Sequence, residues 1–213
     1  VRKIVSGLVM TMLFIGSAIA NSDNMDLSIQ VISEQEYQQL LAQAPAVIEP
    51  ELEVVVSLEQ AQAMLGGRFI FREDTLWITY ESGKELHHID YQHEFQFVAY
   101  FPQEQLLLFD GYHDLILSLD TGESITDNPL NRQYNATGDW RMISYYNSQF
   151  IEYQIQRDVA GEWQETQTRF GSFIEPYNEI VEFHWLDDNR FIYTETVVTP
   201  EEAEPRRVLG TLQ

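Results

Sequence analysis

The chain has no cysteine, so disulfides, thiol catalysis and cysteine-based zinc sites are excluded and the fold rests on its packed core. Positive charge is nearly as scarce. Twelve Lys and Arg stand against 34 Asp and Glu in 213 residues, a formal net charge of −22. Such a field repels polyphosphates and anionic lipid surfaces, which disfavours nucleic acid and membrane surfaces as partners and favours cationic ones. Its plainest role is solubility, since net charge governs association rather than fold. Several chemical motifs are missing as well. There is no Gly-x-Ser-x-Gly elbow, no glycine-rich phosphate loop and no His-Glu-x-x-His. Serine hydrolase, nucleotide-binding and zincin chemistries therefore find no foothold, no cofactor is expected, and no catalytic residue is assigned.

The first feature present is an export signal over residues 1–20. Arg2 and Lys3 form a short positive end, and Ile4 to Ile15 is largely apolar and uncharged. Ala18-Ile19-Ala20 then supplies the small-x-small pattern that a signal peptidase accepts, with cleavage after Ala20. An apolar run of about 12–14 residues is short for a membrane span, which needs roughly 20. With no cysteine behind the run, lipoprotein attachment is excluded. The expected location is the periplasm or the extracellular space of a bacterium, with no membrane contact after cleavage. Removal of Arg2 and Lys3 leaves 12 − 2 = 10 positive residues against 34 acids, a net charge of −24.

Residues 21–67 contain eight acids and no Lys or Arg. Ser33-Glu34-Gln35-Glu36 is a capping box that opens a helix from about Glu34 to Ala44, stopped ahead of Pro45. Pro45 to Pro50 reads as an extended linker, and Leu52 to Val56 as a candidate strand. Ser57 and Gln60 open a second helix, which Gly66-Gly67 ends. This segment is an acidic, partly helical lead-in.

From Arg68 to the end the texture changes to short apolar and aromatic runs between turn signals, which predicts a mainly β domain of antiparallel hairpins over 68–213. The runs include RFIF, TLWITY, ELHHIDY, EFQFVAYF, QLLLFD, DLILSLD, RMISYY, QFIEYQIQ, WQETQTRF, EIVEFHW and RFIYTETVV. Aromatic content of 13%, with Trp77, Trp140, Trp163 and Trp185 spread along the chain, marks a packed domain. Glu201 to Arg207 reads as a solvated charged loop before a last strand, Val208 to Leu212.

A strand–turn–strand scheme recurs at Phe97–Phe109, Met142–Tyr153 and Val181–Tyr193, starts spaced by about 40 residues, as in propeller blades. Leu119-Asp120-Thr121-Gly122 adds a strand ending in Asp-x-x-Thr-Gly style, and Trp185-Leu186-Asp187-Asp188-Asn189-Arg190-Phe191-Ile192 a Trp-x-x-Asp unit. On these residues, residues 68–198 resemble the WD40-like or TolB-like β-propeller repeats of exported bacterial proteins. The resemblance implies a scaffold or interaction role; three or four such units are too few for an ordinary propeller of about four to eight four-stranded blades, which leaves a partial propeller, a homo-oligomer completing one, or a sandwich of hairpins as the architectures open.

The densest polar cluster is Glu85 to Glu94, with His87, His88, Asp90 and His93 as candidate metal ligands, since imidazole and carboxylate are the ligands available without cysteine. Strand alternation puts His88 and Asp90 on one face and His87 on the other, and the plainer reading is a strand edge studded with polar side chains. Asp110, Asp114 and Asp120 flank one hairpin but lack the ligand spacing of a calcium loop. Tyr145-Tyr146, Trp163, Tyr177 and Trp185 are a candidate ligand platform, with core packing the commoner fate of such rings. The sequon Asn135-Ala136-Thr137 is idle in a bacterial protein. The expectation is an exported, non-enzymatic β-repeat domain that binds a protein or peptide partner. The alternatives are a metal-binding protein or metal-dependent hydrolase built on the His87-Asp90-His93 cluster, and an acidic inhibitor or immunity-type protein.

Overall fold

A computed structural model describes residues 27–46, 51–80, 87–90, 94–149, 151–169, 179–198 and 203–212. The lead-in supplies strand β1 (Leu27–Val31) and helices α1 (Glu34–Leu41) and α2 (Leu58–Leu65). Both helices start as their caps require: Ser33 Oγ accepts the Glu36 N–H at 3.2 Å and Ser57 Oγ the Gln60 N–H at 3.3 Å. α1 ends at Leu41, sooner than Pro45 alone would demand, because Gln43 and Ala44 turn back to the Leu40 and Leu41 carbonyls. Residues 52–56 form no strand. Their one sheet-like contact is a bridge in which Val55 and Tyr100 exchange both backbone hydrogen bonds at 2.9 Å.

The rest is mainly β, in antiparallel sheets. The first sheet is β2 (Phe69–Arg72), β3 (Thr75–Ile78) and β4 (His87–Asp90); the second is β5 (Phe95–Phe101), β6 (Leu106–Gly111), β7 (Leu115–Ser118) and β8 (Ser124–Ile125). The third is β9 (Gln133–Tyr134), β10 (Trp140–Tyr146), β11 (Ile151–Val159) and β12 (Glu162–Arg169). The fourth holds β13 (Glu179–Trp185), β14 (Arg190–Val198) and β15 (Ala203–Leu212), and β1 adds to it beside β15, with Leu27 opposite Leu212 and Val31 opposite Val208. Apart from the β1–β15 pair, sequence neighbours pair within each sheet, as short connections favour. The β11–β12 link is a two-residue turn in which Ala160 and Gly161 both take positive φ, 59° and 90°, as a type I′ turn requires.

The charged segment before Val208 is not a loop: Ala203 to Arg207 belong to β15. Arg206 lies opposite Glu195 on β14 and binds its buried carboxylate at 2.7 Å, and Arg207 reaches Glu34 of α1 at the same distance. Pro205 is tolerated because β1 stops pairing at Val208, which leaves that stretch of β15 with no strand to donate to.

Consecutive sheets meet through joints of different kinds. The first and second sheets share an apolar core that includes Phe69, Leu76, Ile78, Ile89, Leu107 and Phe109, with Ala61 and Leu65 of α2. Gly122, after β7, has φ 77°, and a Cβ there would lie 2.9 Å from the Tyr80 ring, so this turn of the Leu119–Gly122 motif needs glycine. The third and fourth sheets share an aromatic core of Trp140, Tyr153, Phe183, Trp185, Phe191 and Tyr193. The opposite face of the fourth sheet is covered by α1, through Tyr37, Ile192 and their neighbours. Among the described residues, no helix is long and apolar enough to cross a membrane.

Candidate functional site

β4 carries His87, His88 and Asp90, paired with Ile78, Trp77 and Thr75 of β3. His93, and the side chains of the other three, lie outside the described residues. Among the described residues no group of three or more His, Asp or Glu is arranged to hold a metal ion. The Asp110–Asp120 hairpin also divides. Asp110 and Asp120 are exposed, whereas Asp114 Oδ2 accepts from the Tyr146 N–H and from Asn128 Nδ2, both at 3.2 Å.

The candidate aromatics separate in the same way. Trp185 is buried in the aromatic joint, and its indole N–H donates to the Gln133 carbonyl at 3.0 Å. Trp163 lies over the Arg141 guanidinium, 4.1 Å from ring centre to Cζ. Tyr177 lies outside the described residues. Tyr145 and Tyr146, in contrast, line a cavity. The sequon residue Asn135 is fully buried; its Nδ2 donates to Thr137 Oγ1 and Asp139 Oδ1, and its Oδ1 accepts from the Gly138 and Trp140 amides. A glycan has no access to that amide in the folded chain.

Between the second and third sheets lies the most charged joint. Arg132 donates to both Glu104 oxygens at 2.6 and 2.7 Å and to both Asp127 oxygens at 2.8 and 2.9 Å. Arg141 reaches the same Asp127 at 2.6 Å and Gln156 at 2.7 Å. Both arginines are buried. Burial opposes the Arg132 charge, but its hydrogen bonds to Glu104 and Asp127 outweigh that and raise its pKa.

Cations elsewhere are committed as well. Arg68 donates to the Thr79 and Leu119 carbonyls; Arg72 and Arg157 lie over Trp77 and Trp140; Arg190, Arg206 and Arg207 pair with Asp187, Glu195 and Glu34. Every arginine whose side chain is described is therefore engaged within the chain. The acids outnumber them, so the surface field is anionic and its few positive charges serve the fold.

Two adjoining cavities open beside β13, sharing Gln133, Val181, Glu182 and Phe183. The smaller, about 360 Å³, is lined further by Asp114, Asn131, Ser144, Tyr145, Tyr146 and Tyr153. The larger, about 710 Å³, extends to Leu52, Val54, Leu130, Arg132 and His184. Local structure explains what faces them. A bulge between Ile180 and Glu182 leaves Val181 unpaired with β14, and Val181 is 55% exposed. Leu130 stands on a short 3-10 turn, Pro129–Asn131, and is 50% exposed. Glu182 Oε2 accepts from the Tyr37 hydroxyl and from Thr194 Oγ1, both at 3.2 Å. Burial raises the Tyr37 pKa; the Thr194 hydrogen bond opposes this and the Glu182 charge adds to it, so the phenol stays a donor.

No family model, curated protein or solved structure matches the chain.

The site therefore stands on its own geometry. Exposed apolar side chains and Asp114 line one continuous recess, with residues drawn from three sheets and from the lead-in. Sequence reasoning did not find it. Asp114, Gln133 and Glu182 are far apart in the chain, and the sequence signalled only parts of the wall, Asp114 as a hairpin carboxylate and Tyr145-Tyr146 as a candidate aromatic platform.

Proposed function

We propose that this chain is an exported, non-enzymatic domain that binds a protein or peptide partner in the recess beside β13. The observation that carries this reading is the convergence there of Leu130, Val181 and Tyr146, apolar side chains with 50%, 55% and 37% exposure. Exposed apolar groups gathered in one recess mark a contact surface more often than singly scattered ones do. Asp114 lines the same recess, held by the Tyr146 N–H and Asn128, whereas the Glu182 carboxylate is held by Tyr37 and Thr194 on the α1 face of the fourth sheet.

The sheets support a propeller-like reading of the fold, akin to the WD40-like or TolB-like repeats. Each is an antiparallel meander of three or four strands, and β1 completes the fourth by pairing with the last strand. On this reading the recess is the central funnel, partly filled by the 51–56 segment that bridges to β5. Export fits as well, since β1 begins at Leu27, beyond the expected cleavage after Ala20, and every described element survives processing.

The test is panning a random peptide display library on the intact chain, with counter-selection on the Val181→Asp variant. Peptides that need Val181 are the expected result. Turnover of an ester, glycoside or peptide panel, lost in Asp114→Asn or Glu182→Gln, would overturn the non-enzymatic reading.

A further inference from the structure

We infer that β1 recognises itself: two copies of this chain join edge to edge through Leu27–Val31, antiparallel about a two-fold axis at Ile29. The contact is independent of the recess, because β1 and β13 are the two opposite edges of the fourth sheet.

The backbone comes first. The register of β1 on β15 continues one step beyond the strand, where the Ile32 N–H donates to the Arg207 carbonyl at 3.0 Å. Alternate residues of an antiparallel ladder bond to the same side, so Ser28 and Gln30 also bond toward β15. Leu27, Ile29 and Val31 therefore turn their N–H and C=O groups outward, and no strand among the described residues pairs with that edge. Their side chains share one face, on which Leu27 packs against the aromatic cluster. Ile29 and Val31 are left 45% and 58% exposed.

Charge selects the occupant. β1 is Leu-Ser-Ile-Gln-Val, with no charge, no proline and no bulge, so it lacks the devices that keep an edge from pairing. The other sheet edges differ. β2, β4, β12 and β13 each carry charged or titratable side chains, β8 and β9 are two residues long, and uncharged β5 is met by Val55 at Tyr100. Two copies with a net charge of −22 repel over most of their surfaces, and β1 is an edge to which neither brings a charge.

The strand is also complementary to itself. With Ile29 on the axis, it faces Ile29 of the second copy, and Leu27 faces Val31. The apolar side chains then meet in the same register that matches each outward N–H with a C=O. Five residues of edge bury less than the roughly 1,200–2,000 Å² of a standard interface, so the contact is weak, with half the copies paired near about 100 µM.

The experiment is sedimentation velocity on the full chain, purified after export. From about 5 µM to about 1 mM the mass is expected to rise from one copy to two and no further, since a two-fold contact closes on itself. Raising sodium chloride from about 0.05 to about 0.5 M is expected to favour the dimer, because salt screens the repulsion and leaves an uncharged contact intact. Ile29→Lys and Ile29→Glu each set like charges against each other on the axis and are expected to weaken pairing at least about tenfold, with unchanged melting temperatures. Their equimolar mixture is expected to pair again, as Lys then faces Glu. Val181→Asp is expected to pair as the parent does, so failure of the recess reading and failure of this one are separable. A single copy throughout, a dimer that survives Ile29→Lys, or a mixture that stays monomeric would overturn the inference. So would mass growing beyond two copies, or a dimer that salt dissolves, since the contact would then be open-ended or ionic.

Discussion

The third sheet meets its two neighbours in opposite ways. Toward the fourth sheet it turns Trp140, Met142, Tyr153 and Ile155, which pack on that sheet's own aromatic cluster, where Phe191 stacks on Phe183 at 5.1 Å and meets Trp185 edge-on at 5.5 Å. Toward the second sheet it turns Arg141, with Arg132 beside it, and the joint closes on Asp127 and Glu104. The aromatic joint gains from removing apolar surface from water, a term that tolerates small displacements. The ionic joint must first overcome the cost of stripping water from four charges, and it holds only if each donor keeps its partner. One sheet face is therefore forgiving about position and the other is not. The recess beside β13 lies where Gln133, next to Arg132, meets Trp185 and Phe183, so it inherits a rigid wall from each joint.

The largest expected effect breaks the aromatic side. Phe191→Ala removes a fully buried ring at the centre of that cluster and is expected to cost about 4 kcal/mol in urea unfolding. Gly210 packs so closely on that ring that an added Cβ would lie 2.3 Å from it, so Gly210→Ala is expected to destabilise the parent yet cost less in the Phe191→Ala background. On the ionic side, Asp127→Ala takes the shared carboxylate from two buried guanidinium groups, leaving Glu104 with Arg132 and Gln156 with Arg141, and is expected to cost about 3 kcal/mol. That loss should change little with added salt, because buried pairs are screened weakly; a loss that vanishes in high salt would show the joint to be open to water. Trp163→Ala uncovers Arg141 on the same joint, with an expected cost of about 1–2 kcal/mol by the same unfolding measurement.

The smallest effect is a pH dependence set near the two turns that flank the aromatic joint. Hydrogen bonding from Thr137 holds Asp139 below its ordinary value of 3.8, against some desolvation and with help from Asn135. For Asp187, desolvation pushes upward, but hydrogen bonds from the Arg190 side chain and the Asn189 amide prevail, and it too lies below 3.8. A carboxyl depressed in the folded state stabilises fully above its unfolded value, and that contribution is lost as pH falls through the folded one. Urea midpoints are therefore expected to be level near neutrality and to drop below about pH 3.8, with a shallower drop in Asp139→Asn.

The aromatic joint and most of its strands were legible in the sequence, because β-branched and aromatic runs bounded by turn residues announce themselves locally. Both helix starts were legible for the same reason, Ser33 and Ser57 each capping their own third residue. Three strands were not foreseen. β8 and β9 are two residues long and carry no period to detect. β1 does alternate, with Leu27, Ile29 and Val31 on one side, but it sits in a segment dominated by helix signals. The ionic joint escaped notice because Glu104, Asp127, Arg132 and Arg141 read singly as turn or surface charges. Only the approach of two sheets makes them one network. The charged run before Val208 misled for a related reason: its partner, Glu195, is eleven residues away on another strand.

The most direct test of the account is an amide NMR map of the intact chain during titration with a peptide selected by the display experiment. The account predicts shifts that saturate together and cluster at Gln133, Tyr146, Val181 and Glu182. Saturating shifts confined to the outer edge of the fourth sheet, around Ser28 and Gln30 of β1, would contradict it, because the partner would then be adding a strand at an edge and leaving the recess unused.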